Sequence, residues 1–309
     1  MKNYLIGSNN YAILSSYLLS DINVIPTSKF EIGDIRPEYI PNTVEMQHLC
    51  SSLGLDYKVK TLNVFFDDRG KISTKPINAF KNIYALTTRG KLSVEDSYFT
   101  NFNSSIKYIS LENNNPFDSY ALLFDKIKLE NKVNTLDNID VDSISISDSN
   151  IILSDGNILE YNRLIWTGDI RSLKKLKLFT KKIYVYVCEY NNKADVKMSN
   201  FFSFGYSAGK QYFRTIYFKD KIEYHCTKRT FKDEIDGNKI VNNFETIQII
   251  DNIRKTNMYN VDLIGPYAQW NLGYKINDVY KDSKELCEYY NIDKKIGKNI
   301  FKSQQNLLY

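Results

Sequence analysis

The sequence predicts an α/β protein in which one domain is assembled from segments at both ends and in the middle of the chain. A strand, a tight turn and a helix open the chain at 2–18, and a second strand follows at 22–26. The central segment 139–168 has the pattern of a β-meander that feeds a buried strand. A last strand at 261–264 precedes a long amphipathic helix. Because segments of one domain lie at these three places, the sequence predicts that a second domain, of sheet and helix, is inserted between them.

The N-terminal segment has the pattern of a compact βαβ unit. Its first strand is the short apolar run KNYLI, and its second is INVIP, only a few residues past the helix. The helix between them is indicated by apolar residues that recur at helical spacing. These residues are Ile13, Leu14, Tyr17 and Leu18.

The region up to residue 130 is predicted to contain helices and one hairpin. Residues 42–53 begin with capping candidates, have a periodic apolar face, and precede Gly54, where a glycine commonly ends a helix. Residues 58–75 predict a hairpin that turns at Asp-Arg-Gly. Residues 78–130 lack a clean period and are predicted to be mostly helical.

The second half of the chain is predicted to be rich in strands. The central meander turns at an Asp-Gly pair and ends with the apolar run LIW before Thr167 and Gly168. Within 182–229, the runs IYVYVCEY, QYFRTIYF and IEYHCTKR predict antiparallel strands with tyrosine and phenylalanine on both faces. Such composition favours a sheet with one face against a ligand or another layer. The terminal helix is predicted over 272–290.

Composition excludes several classes of protein. The 309 residues are 43% apolar and 14% aromatic, which excludes a disordered tail and a disulfide-stapled miniprotein. The 4 cysteines are widely separated without a C-x-x-C pair, so neither a zinc ribbon nor a disulfide framework is predicted, and a cytoplasmic location is expected. No uncharged apolar run approaches the roughly 18 residues of a membrane helix. The net charge of +5 comes from dispersed lysines, so nucleic acid is not expected as a partner.

The turn GSNNYA between the first strand and the first helix is a candidate phosphate site. A dinucleotide-binding turn needs glycine where the backbone approaches pyrophosphate and a small residue where the helix packs on the strand. The first and last of these positions are glycine and alanine here, whereas the middle one is asparagine, which tolerates left-handed backbone. The helix N-terminus offers N–H groups to an anion, with an ordinary β-turn-α connection as the alternative. The candidate residues are Gly7, Ser8, Asn9, Asn10 and Ala12.

A second feature of dinucleotide folds is an acidic residue at the end of the second strand, which binds the adenosine ribose. Pro26 stands at that position. The nearest acids are Glu31 and Asp34, which lie in the following loop and would need an unusual path back.

The order of these segments resembles the flavin-dependent amine oxidase, protoporphyrinogen oxidase and UDP-galactopyranose mutase group. The matching segments are KNYLIGSNNYAILSSYLLS, INVIPTSKFEIGD, ILSDGNILEYNRLIWTGD and VDLIGPYAQWNLGYKINDVYKDS. The resemblance implies a Rossmann-like FAD/NAD(P)-binding domain with FAD as cofactor. It also implies cofactor contacts at two further places, Thr167 with Gly168 and the segment containing Gly265, Gln269, Trp270 and Asn271.

The chain departs from the pattern of that group at cofactor positions. Asn9 replaces the middle glycine, Pro26 the ribose acid, Gly33-Asp34 a Gly-Gly pair, and Pro266 an arginine. These changes leave open an atypically bound FAD, a different nucleotide, or a retained fold without redox chemistry.

The predicted domains divide the chain into five segments. Residues 1–40, 135–170 and 240–309 are assigned to the discontinuous dinucleotide-binding domain. Residues 41–134 and 171–239 are assigned to the inserted domain, a mixed β-sheet with helix that would bind substrate.

Candidate substrate residues come from that inserted domain, whereas catalytic residues are not identified and no metal motif is found. Arg214 interrupts an aromatic strand, where it is either solvated or paired with an anionic ligand. Because related flavoproteins place the same sheet over the substrate, Arg214 is a candidate, followed by Tyr206 and Arg89. His48 is interpreted as structural. His225 lies in a strand without the further partners that a metal or nucleophilic site needs.

Two classes of function remain. The first is a flavin-dependent oxidoreductase of the amine oxidase type that acts on a small polar or anionic substrate, with a UDP-sugar mutase-like flavoenzyme as its alternative. The second is a cofactor-free binding or scaffold protein that keeps the fold. The expected partner is a small-molecule substrate, no membrane association is expected, and the oligomeric state is left open.

Overall fold

A computed structural model describes residues 2–19, 22–31, 39–68, 71–73, 105–137, 139–174, 176, 178, 180–190, 203–208, 210–217, 221–249, 258, 260–271 and 274–296. The helices are α1 Asn10–Leu18, α2 Val44–Ser52, α3 Pro116–Glu130, α4 Ile170–Leu173 and α5 Ile276–Ile296. Two sheets contain the strands. The first has β1 Lys2–Ile6, β2 Asn23–Ile25, β7 Asn134–Thr135, β8 Val141–Ser145, β9 Asn150–Leu153, β10 Ile158–Trp166 and β17 Val261–Leu263. The second has β3 Ile40–Pro41, β4 Tyr57–Asp68, β5 Lys71–Ser73, β6 Ser105–Leu111, β11 Thr180–Glu189, β12 Ser203–Ala208, β13 Tyr212–Tyr217, β14 Lys221–Cys226, β15 Glu234–Ile235 and β16 Asn238–Ile249.

The first sheet joins the N-terminal, central and C-terminal segments of the chain, and the predicted α/β class is confirmed. Its order is β7-β2-β1-β10-β9-β8, and β17 also pairs with β10. Strands β2, β1, β10 and β17 run parallel, whereas the first residues of the long β10 pair antiparallel with β9. The register places Ile25, Ile6, Trp166 and Leu263 in one row, so these four strands end together at one edge. This carboxyl edge positions the candidate site.

Alternation along the parallel strands separates two buried layers. Leu5 and Ile165 pack with the helices α1, α3 and α5 on one face of the sheet. Ile6 and Trp166 pack on the other face with the meander strands β8 and β9. The strands are therefore covered on both faces, which explains their nearly continuous apolar sequence.

Local signals set the ends of the helices, and those of α2 were predicted. Helix α1 begins at Asn10 because the Asn9 side chain accepts the Ala12 N–H at 2.9 Å. Helix α2 follows Thr43, whose hydroxyl caps it, and is terminated after Ser52 by Leu53 and Gly54, which has φ +65°. Within the described residues, no helix is long and apolar enough to cross a membrane.

The second sheet is largely antiparallel and contains the predicted strands β11, β13 and β14 and the hairpin β4-β5. Its order is β15-β16-β11-β14-β13-β12-β4-β6-β3, with β12 parallel to β4. Residues 105–111 form the strand β6, although the sequence predicts mostly helix for 78–130. The prediction was wrong there because residues 108–111 are buried without a gap, so they show no period of two. Helix α3, at Pro116–Glu130, agrees with the helical prediction.

The strands of the second sheet come from 40–111 and 180–249, between those of the first sheet along the chain. The predicted boundary at 240 falls inside β16, which pairs along its length with β11. The division into a dinucleotide-binding and a substrate domain stays a prediction.

Candidate functional site

The candidate site is the carboxyl edge of the first sheet, where β1, β10 and β17 end beside the N-terminus of α1. Gly7, Thr167 and Gly265 each lie one or two residues beyond these strands. In open α/β sheets, ligands bind at this edge, where neighbouring strands connect to opposite sides. A helix N-terminus adds unpaired N–H groups and a partial positive charge.

The N–H groups at the start of α1 hold a carboxylate of the chain itself. Glu31 Oε1 accepts hydrogen bonds from the Ser8 N–H and, at 2.8 Å, from the Asn9 N–H. Its other oxygen accepts the Ser8 hydroxyl at 3.1 Å. The turn predicted to bind phosphate is therefore an anion site whose donors are bonded to Glu31.

Sequence reasoning assigned no role to Glu31 because its path back to the sheet was not evident. The path is supplied by residues 27–31, here named the strap. Glu31 N–H donates to Ser28 O at 3.0 Å, which folds the strap back, and Lys29 Nζ donates to Val141 O at 2.8 Å. Phe30 O accepts the Asp169 N–H at 2.7 Å. The strap is thus fastened to Asp169, just beyond β10, and to Val141 at the start of β8.

Two glycines predicted to make room for a cofactor make room for the chain. A Cβ at Gly7 would lie 2.0 Å from Thr167 Oγ1, and Gly7 has φ +144°, a conformation that favours glycine. A Cβ at Gly168 would lie 2.8 Å from Phe30 O. Thr167 is itself fixed, because its hydroxyl donates to Ile6 O at 3.0 Å. Contacts within the protein already require glycine at both positions.

Asn9 stands in place of the middle glycine for a reason other than the expected left-handed backbone. Its backbone is extended, with φ −72° and ψ 171°, so tolerance of left-handed backbone is not what admits asparagine here. The side chain caps α1 through Ala12 N–H, and its Nδ2 donates to Thr167 O at 3.2 Å. Asn9 therefore joins α1 to the end of β10, and Asn10 is the first residue of the helix.

Gly265 lies at the same edge and faces α1. It has φ +109°, and a Cβ there would lie 3.4 Å from the ring of Tyr11. The Tyr11 ring is buried and lies between the start of α1 and the turn that follows β17. The structure thus brings Gly7, Thr167 and Gly265 to one edge.

The other residues of the last motif make contacts within the C-terminal segment. Gln269 Nε2 donates to Leu263 O and to Asp282 Oδ2, both at 2.8 Å. Trp270 is fully buried at φ +49°, and the Arg171 guanidinium lies 4.9 Å from its ring centre. The Asn271 N–H donates to the carbonyl oxygen of Pro266 at 2.7 Å. A cofactor role for Gln269, Trp270 and Asn271 stays a prediction.

The second sheet holds the substrate candidates. Arg214 is buried in β13, and the register places it opposite His225 on one side and Tyr206 on the other. Glu223 Oε2 lies 3.4 Å from His225 Nε2. Burial, with a smaller effect of the Arg214 charge, lowers the pKa of His225 below its usual value. Arg89 lies outside the described residues.

His48 and Cys226 have structural environments. His48 Nδ1 lies 3.0 Å from the Tyr280 hydroxyl and links α2 to α5. Burial raises the pKa of the Cys226 thiol to about 12, which disfavours the reactive thiolate. Among the residues that the structure describes, no group of three metal-ligating side chains is found.

No protein-family model matches the sequence, and no curated protein matches it significantly. Solved structures do share its fold. Reduced UDP-galactopyranose mutase matches with a TM-score of 0.59 and 8% identity over 94% of this chain and 96% of that chain. The PF1083 protein of Pyrococcus furiosus matches with a TM-score of 0.55 and 11% identity over 94% and 98%. Tar14, a flavin-dependent tryptophan C-6 halogenase from taromycin biosynthesis, matches with a TM-score of 0.54 and 10% identity. The match covers 99% of this chain and 74% of that chain. This chain therefore has a fold that flavin-dependent enzymes also have.

Proposed function

We propose that the protein binds FAD at the carboxyl edge of the first sheet and acts as a flavin-dependent oxidoreductase. The observation that carries the proposal is the pair of N–H groups of Ser8 and Asn9, which binds the Glu31 carboxylate. A pyrophosphate oxygen presents negative charge to the same donors. The match in fold with flavin-dependent enzymes supports a dinucleotide as the source of that anion.

The donor set fits a pyrophosphate once Glu31 leaves it. Ser8 and Asn9 would hold the phosphate oxygens, while Thr167, Gly168 and the turn at Gly265 would line the remainder of the cofactor. FAD, when bound, supplies an acceptor for a hydride.

The proposed substrate is a small polar or anionic molecule, and the proposed reaction is of the amine oxidase type. Arg214 would bind an anionic group of the substrate, because a buried guanidinium pairs well with carboxylate or phosphate. His225 beside it is kept neutral by burial, so it would act as a hydrogen-bonding group rather than as a second cation. A reaction of the mutase type would use the same cationic position to hold a sugar nucleotide.

A second candidate function, a cofactor-free binding or scaffold protein, is favoured by one specific observation. The strap is bonded through Phe30 O to Asp169 at the edge and through Lys29 to β8, and Gly168 leaves room for it. In this alternative, the strap permanently takes the place of a nucleotide.

Titration of the purified protein with FAD separates the two candidates. Flavin fluorescence and visible absorbance report binding, and FMN is the matched control because it lacks the pyrophosphate and adenosine of FAD. Saturable binding of FAD with markedly weaker binding of FMN is the expected result. Equal binding of both would overturn the pyrophosphate site, and binding of neither would favour the cofactor-free protein.

A further inference from the structure

We propose that Glu31 is an internal competitor for the cofactor phosphate, so that FAD binds only when this side chain has left the N-terminus of α1. The inference rests on the proposed function and adds a regulatory element to the same site. The competing group is part of the chain, and it is held in place by the strap.

Glu31 and a phosphate cannot use the site together. One Glu31 oxygen takes both the Ser8 and the Asn9 N–H groups, and the other takes the Ser8 hydroxyl. These three donors are also those that the turn would offer to a phosphate. Two anions at one pair of donors would repel each other, so occupancy by one excludes the other.

The strap presents Glu31 to α1 by contacts that do not involve its carboxylate. Phe30 O is bonded to the Asp169 N–H, and the Phe30 ring lies 5.1 Å from the ring of Trp166. Lys29 Nζ donates to Val141 O and also lies 3.7 Å from an oxygen of Asp142. We therefore expect a phosphate to displace the Glu31 carboxylate by rotation of that side chain, and contact of the cofactor with Gly168 would in addition require the Phe30 carbonyl oxygen to move.

Hydrogen bonds to a charged group are strong enough to affect cofactor affinity. Removal of the competing carboxylate is expected to increase FAD affinity by about 10-fold to 100-fold. The Glu31→Ala variant removes the carboxylate. Glu31→Gln keeps the size and one acceptor oxygen without the charge, and a smaller increase is expected; it also serves if the alanine variant does not fold. Glu160→Ala is the matched control, because Glu160 is an exposed acid on β10.

Two measurements test the inference on the full chain. The first is FAD affinity, from quenching of flavin fluorescence. The second is the melting temperature in inorganic phosphate without FAD, because a ligand that binds only the folded state raises it. Phosphate is expected to stabilise Glu31→Ala but neither the unaltered protein nor Glu160→Ala.

The outcomes separate this inference from the proposed function. Equal FAD affinity in the unaltered protein and in Glu31→Ala would overturn the role of Glu31 and leave FAD binding in place. Stabilisation of Glu31→Ala alone by phosphate, with FAD bound by neither protein, would support the competition and overturn the proposed cofactor. Absence of both effects would overturn both.

Discussion

Replacement of Gln269 by alanine tests whether the segment after β17 anchors the terminal helix or lines a ligand. Gln269 Nε2 donates to Leu263 O at the end of β17 and to Asp282 Oδ2 in α5. The Tyr274 hydroxyl donates to the same Asp282 oxygen at 2.7 Å. These contacts join the last strand of the first sheet to α5.

The size of the effect follows from these bonds. A neutral hydrogen bond contributes about 0.5–1.5 kcal/mol and one to a charged group about 1.5–3 kcal/mol, so Gln269→Ala is expected to lose about 3 kcal/mol. For a chain of this size, that corresponds to a decrease in melting temperature of about 6 °C. If Gln269 served mainly to contact a ligand, the melting temperature of the ligand-free protein would hardly change.

Thermal unfolding of Gln269→Ala, Asp282→Ala and the double variant measures the effect. The double variant is expected to show a coupling free energy of about 1.5–3 kcal/mol between the two side chains. Gln47→Ala is the matched control. The Gln47 side chain, in α2, donates one neutral hydrogen bond, to Asn42 Oδ1 just before the helix, at 2.8 Å. A decrease of less than about 1 °C for Gln269→Ala, with additive single variants, would refute the anchor.

Three further predictions concern packing, an ion pair and pH. Gly7→Ala should yield little folded protein, because its Cβ would lie 2.0 Å from Thr167 Oγ1. Adding Thr167→Gly should restore part of the melting temperature. If it restores none, the cause is not steric. Asp262→Ala removes a two-bond ion pair, at 2.9 and 3.2 Å, with the largely buried Arg163 and should cost about 2–3 kcal/mol; a double-variant coupling free energy near zero would contradict this. Burial lowers the pKa of His225, so the unfolded chain binds its proton more readily. Stability should therefore fall as pH decreases below about 6.5, and His225→Gln should flatten that part of the profile.

Local signals made most of the first sheet and its helices predictable. The run KNYLI, the cap of α2 at Thr43 and the Asp-Gly turn of the meander each act within a few residues, so the sequence alone predicts them. Strand β6 was not predicted because its residues 108–111 are all buried and lack the alternation that marks a half-buried strand.

The position of Glu31 could not be predicted, because distant contacts set it. Lys29 reaches Val141, 112 residues away, and Phe30 reaches Asp169, so the strap is placed by residues that no local pattern connects to it. The asparagine at position 9 was also interpreted through its backbone, whereas its two side-chain bonds explain it. The strap contacts and the bond from Asn9 to Thr167 are tertiary, whereas the cap from Asn9 to Ala12 is local.

The strap closes the carboxyl edge, so a protein without bound flavin can still be one that binds it. A glycine is required wherever backbone is approached closely, by a ligand or by the chain itself, and Gly168 is approached by Phe30 O. Because the edge is closed by contacts within the chain, we expect the protein to fold without a cofactor. Apparent affinity then equals the intrinsic affinity reduced by the fraction of molecules in which Glu31 is displaced. If the protein binds FAD as proposed, colour at purification depends on that fraction and on the cofactor concentration together, whereas titration of the unaltered protein and Glu31→Ala at known FAD concentrations measures the fraction alone.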